Sequence, residues 1–521
     1  MSLGMHSGSL LAESRVLPTI PGSGITVDVE AWTGFDVSTM DGIDIGLIPI
    51  TFTITNTSSA TRTFIISQRS RSGSRAGSIP WTEIAVGKDN TTKTTLFVDP
   101  FNHERTYSYV TIEIRGYGME QGTSNVQIQF TSATGVTPPK NGNPPWIAAL
   151  SKKAFNAISQ FRDQYSFVGN VLDMVNAPDE WRGWSAFSVM LLTESEWYAM
   201  SAVQKKAILD WVGLGGQVGL LTSDIRSQHL DSIGVPPSAQ DGVSLIGAGT
   251  IEPLLLKDNK LPLAAYKKFI QPRQAQRFED IKKYYVSNTS EPTWGATGFR
   301  ALYDVFGPRT LPTTAILCFL VCFGCIAGPL NILFFARRGH RTRMFWTTPL
   351  ISIAATLVLL GLMVFRDGVG GGGARRTLAI LMPEQNSMAI IQEQFSRTGL
   401  LLNTAFAIEE PSWMRSLKPT PSGALLRERT DRLRDGDWFQ PRTDQGYLIE
   451  TIRPSRSRIE FISNGIDPPS VISSIEAVLD RVFIIDASGQ YWTTASLGTG
   501  ERKSLEQSDA KAFERWADKH Q

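Results

Sequence analysis

Cysteine is scarce in this sequence. Three occur in 521 residues, Cys318, Cys322 and Cys325, all inside one apolar run. The rest of the chain therefore offers no disulfide, no thiolate metal cage and no cysteine nucleophile. A dominant charge sign is also lacking: 51 basic and 49 acidic residues leave a formal net charge of +2. No global basic field points to nucleic acid, and no acidic field points to a solvating tail. The five histidines, His6, His103, His229, His340 and His520, are isolated in sequence, and none sits in a metal-ligand pair. No G-x-S-x-G pentapeptide marks a serine elbow. These absences predict no catalytic residue, no cofactor and no metal, while a hydrolase built from histidines that converge in space stays open as an alternative.

Long uncharged runs, in contrast, are present. Residues 311–336, "LPTTAILCFLVCFGCIAGPLNILFFA", and residues 344–365, "MFWTTPLISIAATLVLLGLMVF", carry no charge. Each exceeds the roughly 20 residues a helix needs to cross a bilayer. Adjacent charge-free runs of this length predict two transmembrane helices rather than two buried core helices. Between them, residues 337–343 hold Arg337, Arg338, Arg341 and Arg343 in a loop too short for a domain. The positive-inside bias predicts a cytoplasmic loop, with both flanking parts on the outer side, although Arg366, Arg375 and Arg376 after the second run reduce the asymmetry. The first sixteen residues lack the apolar core of a signal segment, so either the start lies upstream, the favoured expectation, or the orientation is reversed. Within the first run, Gly324 and Gly328 form G-x-x-x-G, and Pro329 with Asn331 interrupts the helix. The glycines are expected to seat either the partner helix of the same hairpin, the favoured use, or a helix of another copy of the chain. The three cysteines are expected to be small packing residues.

Residues 25–135 show short alternating segments separated by polar turns, which predicts an antiparallel β-sandwich. Residues 48–64, "IPITFTITNTSSATRTF", resemble the strand-turn-strand of immunoglobulin-like envelope domains. Asp36, Asp41 and Asp44 miss the calcium-loop spacing and read as a solvated loop. Residues 1–24 read as disordered, and 136–145 as a proline-rich linker.

From residue 146 the period changes to alternating strand and helix, which predicts an α/β domain over 146–290. "LDWVGLGGQVGLLTSD", residues 209–224, raises the question of whether its glycines cradle a phosphate. Nucleotide-binding glycine loops lie between a strand and the following helix, where helix amides point at the phosphate. Here Gly213, Gly215 and Gly216 follow a helix and precede a strand. A helix C-terminus presents carbonyls, which repel phosphate, and often needs a residue at positive φ. The glycines therefore read as a turn, with Gly216 expected at positive φ.

Residues 178–222, "PDEWRGWSAFSVMLLTESEWYAMSAVQKKAILDWVGLGGQVGLLT", resemble the class I glutamine-amidotransferase-like domain of bacterial two-pass envelope membrane proteins. The match rests on Pro178, Trp181, Gly183, Trp184, Trp211, Val212, Gly215 and Gly216. It extends to "VSLIGAGTIEPL" and to the membrane hairpin. The resemblance implies a flavodoxin-like α/β fold. It imports no activity, because glutamine hydrolysis needs a cysteine on a strand-to-helix elbow.

Beyond a connector at 291–310 and the hairpin, residues 366–376 read as a glycine-rich linker and 377–521 as a β-rich domain. Residues 426–438, "LRERTDRLRDGDW", alternate charge sign and read as a solvated loop or short helix. A C-terminal amphipathic helix is expected to dock through Phe513 and Trp516. The sequence thus predicts a multidomain α/β plus β protein with two transmembrane helices, in the bacterial inner membrane, its large domains facing the periplasm or cell exterior. Its expected work is non-catalytic binding or scaffolding. Its expected partners are the lipid bilayer and other envelope or transporter proteins, not nucleic acid. An accessory subunit of a transporter is the alternative, and an envelope-polymer hydrolase is third.

Overall fold

Strict alternation of apolar and polar residues lets one face of a strand be buried and the other hydrated. The segment Ile48–Asn56 does this, with Ile50, Phe52 and Ile54 fully buried. The computed structural model of the chain describes residues 13–17, 19–31, 46–69, 78–98, 109–119, 122–129, 146–158, 167–171, 177–185, 187, 189–223, 243–269, 313–334, 341–367, 371–399, 401, 403–416, 425–430, 432–463, 468–486 and 488–520. It is a mixed α/β protein, rich in strands. Outside these residues lie the Asp36, Asp41 and Asp44 loop, the 136–145 linker, the 291–310 connector, Arg337 and Arg338.

The first unit is a sandwich. Strands β1 (Glu13–Val16), β2 (Ile25–Ala31), β3 (Ile48–Asn56) and β6 (Asn90–Val98) form one antiparallel sheet. Opposite it lie β5 (Ser78–Val86), β4 (Arg62–Gln68), β7 (Tyr109–Gly116) and β8 (Thr123–Gln129). Strand β1 corrects the expectation that residues 1–24 are wholly disordered: it pairs with Asp28–Ala31 and so extends the sheet by one edge. Asn56 ties the sandwich turns together, its Nδ2 donating to the carbonyls of Ala60, Val86 and Gly87.

The second unit contains β9 (Trp146–Leu150), α1 (Lys152–Ile158), β10 (Phe167–Val171), β11 (Val189–Thr193), α2 (Glu194–Ala199), α3 (Ala202–Gly213), β12 (Gln217–Thr222), β13 (Ser244–Ile246), β14 (Gly249–Leu255) and a helix α4 at 263–269. The sheet order is β10-β9-β11-β12-β14-β13, parallel except for the antiparallel edge strand β13. Chain direction across the sheet reverses between β9 and β11, the place where open α/β sheets form a crevice at the strands' carboxyl ends.

Two apolar helices follow: α5 at 313–334 and α6 (Met344–Asp367). Both are long and apolar enough to cross a membrane, and only 6% of the first segment and 0% of the second is buried within the protein. A core helix of a soluble domain would be mostly covered; these are not. Pro329 is accommodated by a π-turn over Ile326–Leu330, and the helix then resumes. The hairpin is clasped by Asn331, which is 1% exposed. Its Nδ2 donates to Thr348 Oγ1 at 3.0 Å, and its Oδ1 accepts from Thr347 Oγ1 at 2.8 Å. Gly324 and Gly328 do not seat the partner helix: a Cβ placed on either meets nothing within 4 Å. The contact with α6 is made instead by the Asn331 hydrogen bonds.

After the hairpin come β15 (Gly371–Met382), β16 (Ser387–Thr398), β17 (Phe406–Ala407), β18 (Ser412–Ser416), β19 (Leu426–Arg429), β20 (Leu433–Gly436) and β21 (Asp444–Pro454). Strand β15 begins inside the stretch expected to be a flexible linker, because Gly371–Arg376 pair in register with Glu393–Thr398. Strands β15, β16, β21 and β18 make one sheet. Strands β17, β20 and β19 instead join the sandwich, with β19 parallel to β5: Ser78 faces Leu426, Ile79 faces Arg427, Pro80 faces Glu428 and Trp81 faces Arg429. The alternation of 426–436 therefore builds strands, not the solvated loop or helix expected from its charges. A last unit holds β22 (Ile459–Ile462), β23 (Ser470–Ser473), β24 (Leu479–Ile485), β25 (Tyr491–Leu497), β26 (Arg502–Ser504), β27 (Glu506–Ser508) and α7 (Ala510–His520). The β24–β25 turn is held by the Asp486 carboxylate, which hydrogen bonds from Ser488, Trp492 and Gln490 lower to about 2. Helix α7 docks as expected, with the Phe513 and Trp516 rings 5.5 and 5.4 Å from Phe483.

One core runs through the first three units. It joins Val27, Phe52 and Ile66 of the sandwich to Trp184, Trp211 and Val212 of the α/β unit, and these to Met382, Ala389, Trp413 and Ile452 beyond the hairpin.

The glycine turn supplies a test. Helix α3 ends in a Schellman arrangement: the Gly216 amide donates to the Trp211 carbonyl at 3.1 Å, and the Gly215 amide to Val212 at 2.8 Å. Gly215, at φ +110°, is the residue in the positive region, which corrects the assignment of that role to Gly216. Gly216 is required for a different reason, since a Cβ there would lie 2.4 Å from the Trp211 indole. Gly216→Val is expected to destabilise the protein by roughly 1–3 kcal/mol through overpacking. Gly215→Ala is expected to cost about 1–2 kcal/mol through backbone strain. Denaturation curves of the purified chain check both.

Candidate functional site

Two places concentrate polar chemistry in the described part of the molecule. The first is the crevice at the carboxyl ends of β9, β11 and β12. Ser151 follows β9, is fully buried, and its Oγ accepts the Ala154 amide at 3.0 Å, capping α1. Thr193 ends β11 and caps α2, while the Glu196 carboxylate accepts from the Thr193 amide at 2.9 Å and hydroxyl at 2.7 Å. Lys153 Nζ donates to Ser195 Oγ at 3.3 Å, and Thr222 Oγ1 to Glu194 at 3.4 Å. Among the described residues, the strand ends here thus carry hydroxyls, two carboxylates and the Lys153 ammonium, held in hydrogen bonds to one another or to backbone amides. No thiol lies outside 318–325 to serve as its nucleophile.

The second is the junction of the three units. The Pro-x-x-Trp-x-Gly-Trp step folds as a 3-10 turn over Trp181–Trp184, all four residues buried. Trp181 and Trp184 enter the shared core, and the Trp184 indole donates to the Pro178 carbonyl at 3.2 Å. Gly183 lets the turn close on Pro178, where a Cβ would sit 2.5 Å from the ring, with Pro49 of the sandwich 3.5 Å away. The Leu47 amide donates to Ser185 Oγ at 2.9 Å. The motif is therefore a wedge between units.

Arg182, in the same turn, is 7% exposed. It pairs with Glu180, reaches Glu428 of β19 at 3.4 Å, and lies 4.5 Å from the centre of the Phe97 ring in β6. Arg434 of β20, 1% exposed, donates from Nη2 to the same Glu428 oxygen at 2.8 Å and to Ser412 Oγ at 3.0 Å and O at 3.1 Å. Burial pulls the Arg182 guanidinium down, but Glu180 and Glu428 outweigh it and the net shift is upward. Burial and the neighbouring Arg182 leave Arg434 lowered despite Glu428. Arg434 Nε and Nη1 find no acceptor among the described residues.

The glycine turn answers its own question at this junction. A Cβ on Gly213 would stand 2.5 Å from Met382 Sδ, and one on Gly247 would stand 2.6 Å from the Gly213 carbonyl and 3.0 Å from the same sulfur. The cluster is a seat for the end of β15. Gly215, Gly216, Trp181 and Trp211, singled out by sequence, all come together around this core. Gly324, Gly328 and Pro329 lie apart, in α5. Arg341 and Arg343 lie in the turn that precedes α6. Glu428, Arg434 and Met382 were missed; their signal was the period-two pattern of 426–436 and the apolar end of β15.

No family model matches the sequence, and no curated protein matches it. Among solved structures, the chain is similar to Bacteroides uniformis beta-glucuronidase 2 at 8% identity, with 48% of this chain and 38% of that one aligned. The TM-score is 0.19, a likeness from which neither fold nor activity follows.

Proposed function

We propose that this chain is a two-pass protein of the bacterial inner membrane that presents one non-catalytic binding body on the outer face of that membrane. The observation that carries the reading is the fusion of segments before and after the apolar hairpin into one core, beside two apolar helices left almost uncovered. A hairpin that crosses and returns puts both flanks on one side, as a shared sheet requires. The Arg-rich turn between the helices favours the cytoplasm for itself and the exterior for the body. The parallel order around β9 and β11 and the tryptophan wedge support a glutamine-amidotransferase-like unit, in which the absent thiol removes the family's chemistry. The four-strand sheet facing β5, β4, β7 and β8 supports the immunoglobulin-like reading of the first unit.

A second reading, an accessory subunit of a transporter, is favoured by one feature. Gly324 and Gly328 leave a small-residue face of α5 open to a neighbouring helix.

Orientation tests the first reading. In a background with all three cysteines changed to alanine, Ser488→Cys should react with a membrane-impermeant thiol reagent on intact spheroplasts, and Gly339→Cys should not. The opposite pattern defeats the proposal. Purified full-length protein should release no ammonia from glutamine above a no-protein control. Release above that control would contradict the non-catalytic reading. Mild cross-linking followed by pull-down separates scaffold from accessory subunit, because a transporter component should dominate the recovered partners only in the second case.

A further inference from the structure

The part of the chain beyond the hairpin is attached to the rest in two chemically different ways. At one end the attachment is apolar: Met382, Ala389, Trp413 and Ile452, from β15, β16, β18 and β21, enter the shared core, with Met382 against Gly213 and Gly247. At the other end, where β19 meets β5, it is mostly polar. Only four residue pairs form the ladder. Thr430 donates its amide to the Trp81 carbonyl at 3.1 Å and its hydroxyl to Thr82 Oγ1 at 2.6 Å. Arg427 and Arg429 lie 5.0 and 5.4 Å from the centre of the Trp81 ring. Glu428 links Arg182 on one side to Arg434 on the other. Strands β19 and β20 contribute no residue to the shared core; Leu426 packs instead with Met414, Trp438 and Tyr447 in a separate cluster.

This seam also carries a cost in its closed state. Arg434 is buried with Nε and Nη1 unsatisfied, and a buried donor without an acceptor loses its hydration for nothing in return. Arg434 also stands close enough to Arg182 of the α/β unit for the two cations to disfavour each other, a repulsion that opening relieves.

We infer that the β5–β19 seam is a releasable latch, and the Met382 seat the hinge about which the sheet of β15, β16, β21 and β18 turns. Glu428 is the positioning residue that holds the latch closed, by reaching from β19 to the buried Arg182 of the α/β unit.

Amide hydrogen exchange on the full-length protein in detergent tests this. In the unmodified chain, amides of residues 78–81 and 426–429 should exchange at least about ten-fold faster than those paired between β16 and β21, since local opening takes less than global unfolding. Glu428→Gln should accelerate the seam by a further ten-fold or so and leave the β16–β21 ladder unchanged, because Arg182 then keeps Glu180 alone and the buried Arg434 loses its carboxylate. Arg434→Met removes the unsatisfied donors together with a bond to Glu428 that lies within the β19–β20 pair and not across the seam, so seam exchange should equal or be slower than that of the unmodified chain. Equal exchange of seam and ladder in the unmodified chain would overturn the inference, and so would loosening by Arg434→Met as great as that by Glu428→Gln. The Arg434→Met and unmodified measurements decide the matter even if Glu428→Gln does not fold.

Discussion

Four residues of parallel pairing, Ser78–Trp81 with Leu426–Arg429, place a constraint on everything between them. The intervening chain holds the whole α/β unit and both apolar helices, yet its two ends meet in one sheet. A strand pair cannot form across a bilayer, because ladder groups need continuous contact and no aqueous path crosses the hydrocarbon. Whatever membrane the hairpin enters, it must therefore return to the side from which it came. An even number of crossings is required by the sheet itself.

The junction reconciles apolar and ionic attachment within a small space. Tryptophans 181, 184 and 211 fill the angle between sandwich and α/β unit, where large rigid side chains bury much area at little entropic cost. The glycines at 213, 216, 247 and 249 are set by proximity to neighbouring atoms: a Cβ on Gly249 would stand 2.1 Å from the Gly216 carbonyl and 2.2 Å from that of Val212. Around this apolar centre, Arg182, Glu428 and Arg434 form a buried ionic string. Such strings add little to stability, since desolvation offsets most of the attraction.

Much of this was legible in the sequence. Period-two alternation marked β2 to β8, charge-free length marked both apolar helices, and the order helix–glycine–strand excluded a phosphate loop at Gly213–Gly216. What escaped was long-range. Residues 426–436 carry strand periodicity, but their charges read as solvated because nothing local shows that Glu428 will find Arg182, 246 residues away. Gly371–Gly373 read as linker because glycine weakens an isolated strand, while twelve pairs with β16 outweigh that penalty. The G-x-x-x-G spacing in α5 was read as the hairpin contact, but a Cβ on either glycine meets nothing within 4 Å, and Asn331 makes the hydrogen bonds to α6. The identity of Gly215 rather than Gly216 as the positive-φ residue depended on where α3 ends, a boundary that sequence alone sets poorly.

The claim that segments on both sides of the hairpin form one body is tested most directly by covalent capture across β5 and β19. Ile79→Cys and Arg427→Cys occupy facing positions in the ladder. They would be introduced into a chain with Cys318, Cys322 and Cys325 replaced by alanine and a protease site inserted at Gly339. After treatment of native membranes with a short thiol cross-linker, solubilisation and cleavage, the two fragments should migrate together, and should separate when only one of the two cysteines is present. Fragments that separate with both cysteines in place, in protein whose thermal transition matches that of the parent chain, would contradict a shared sheet.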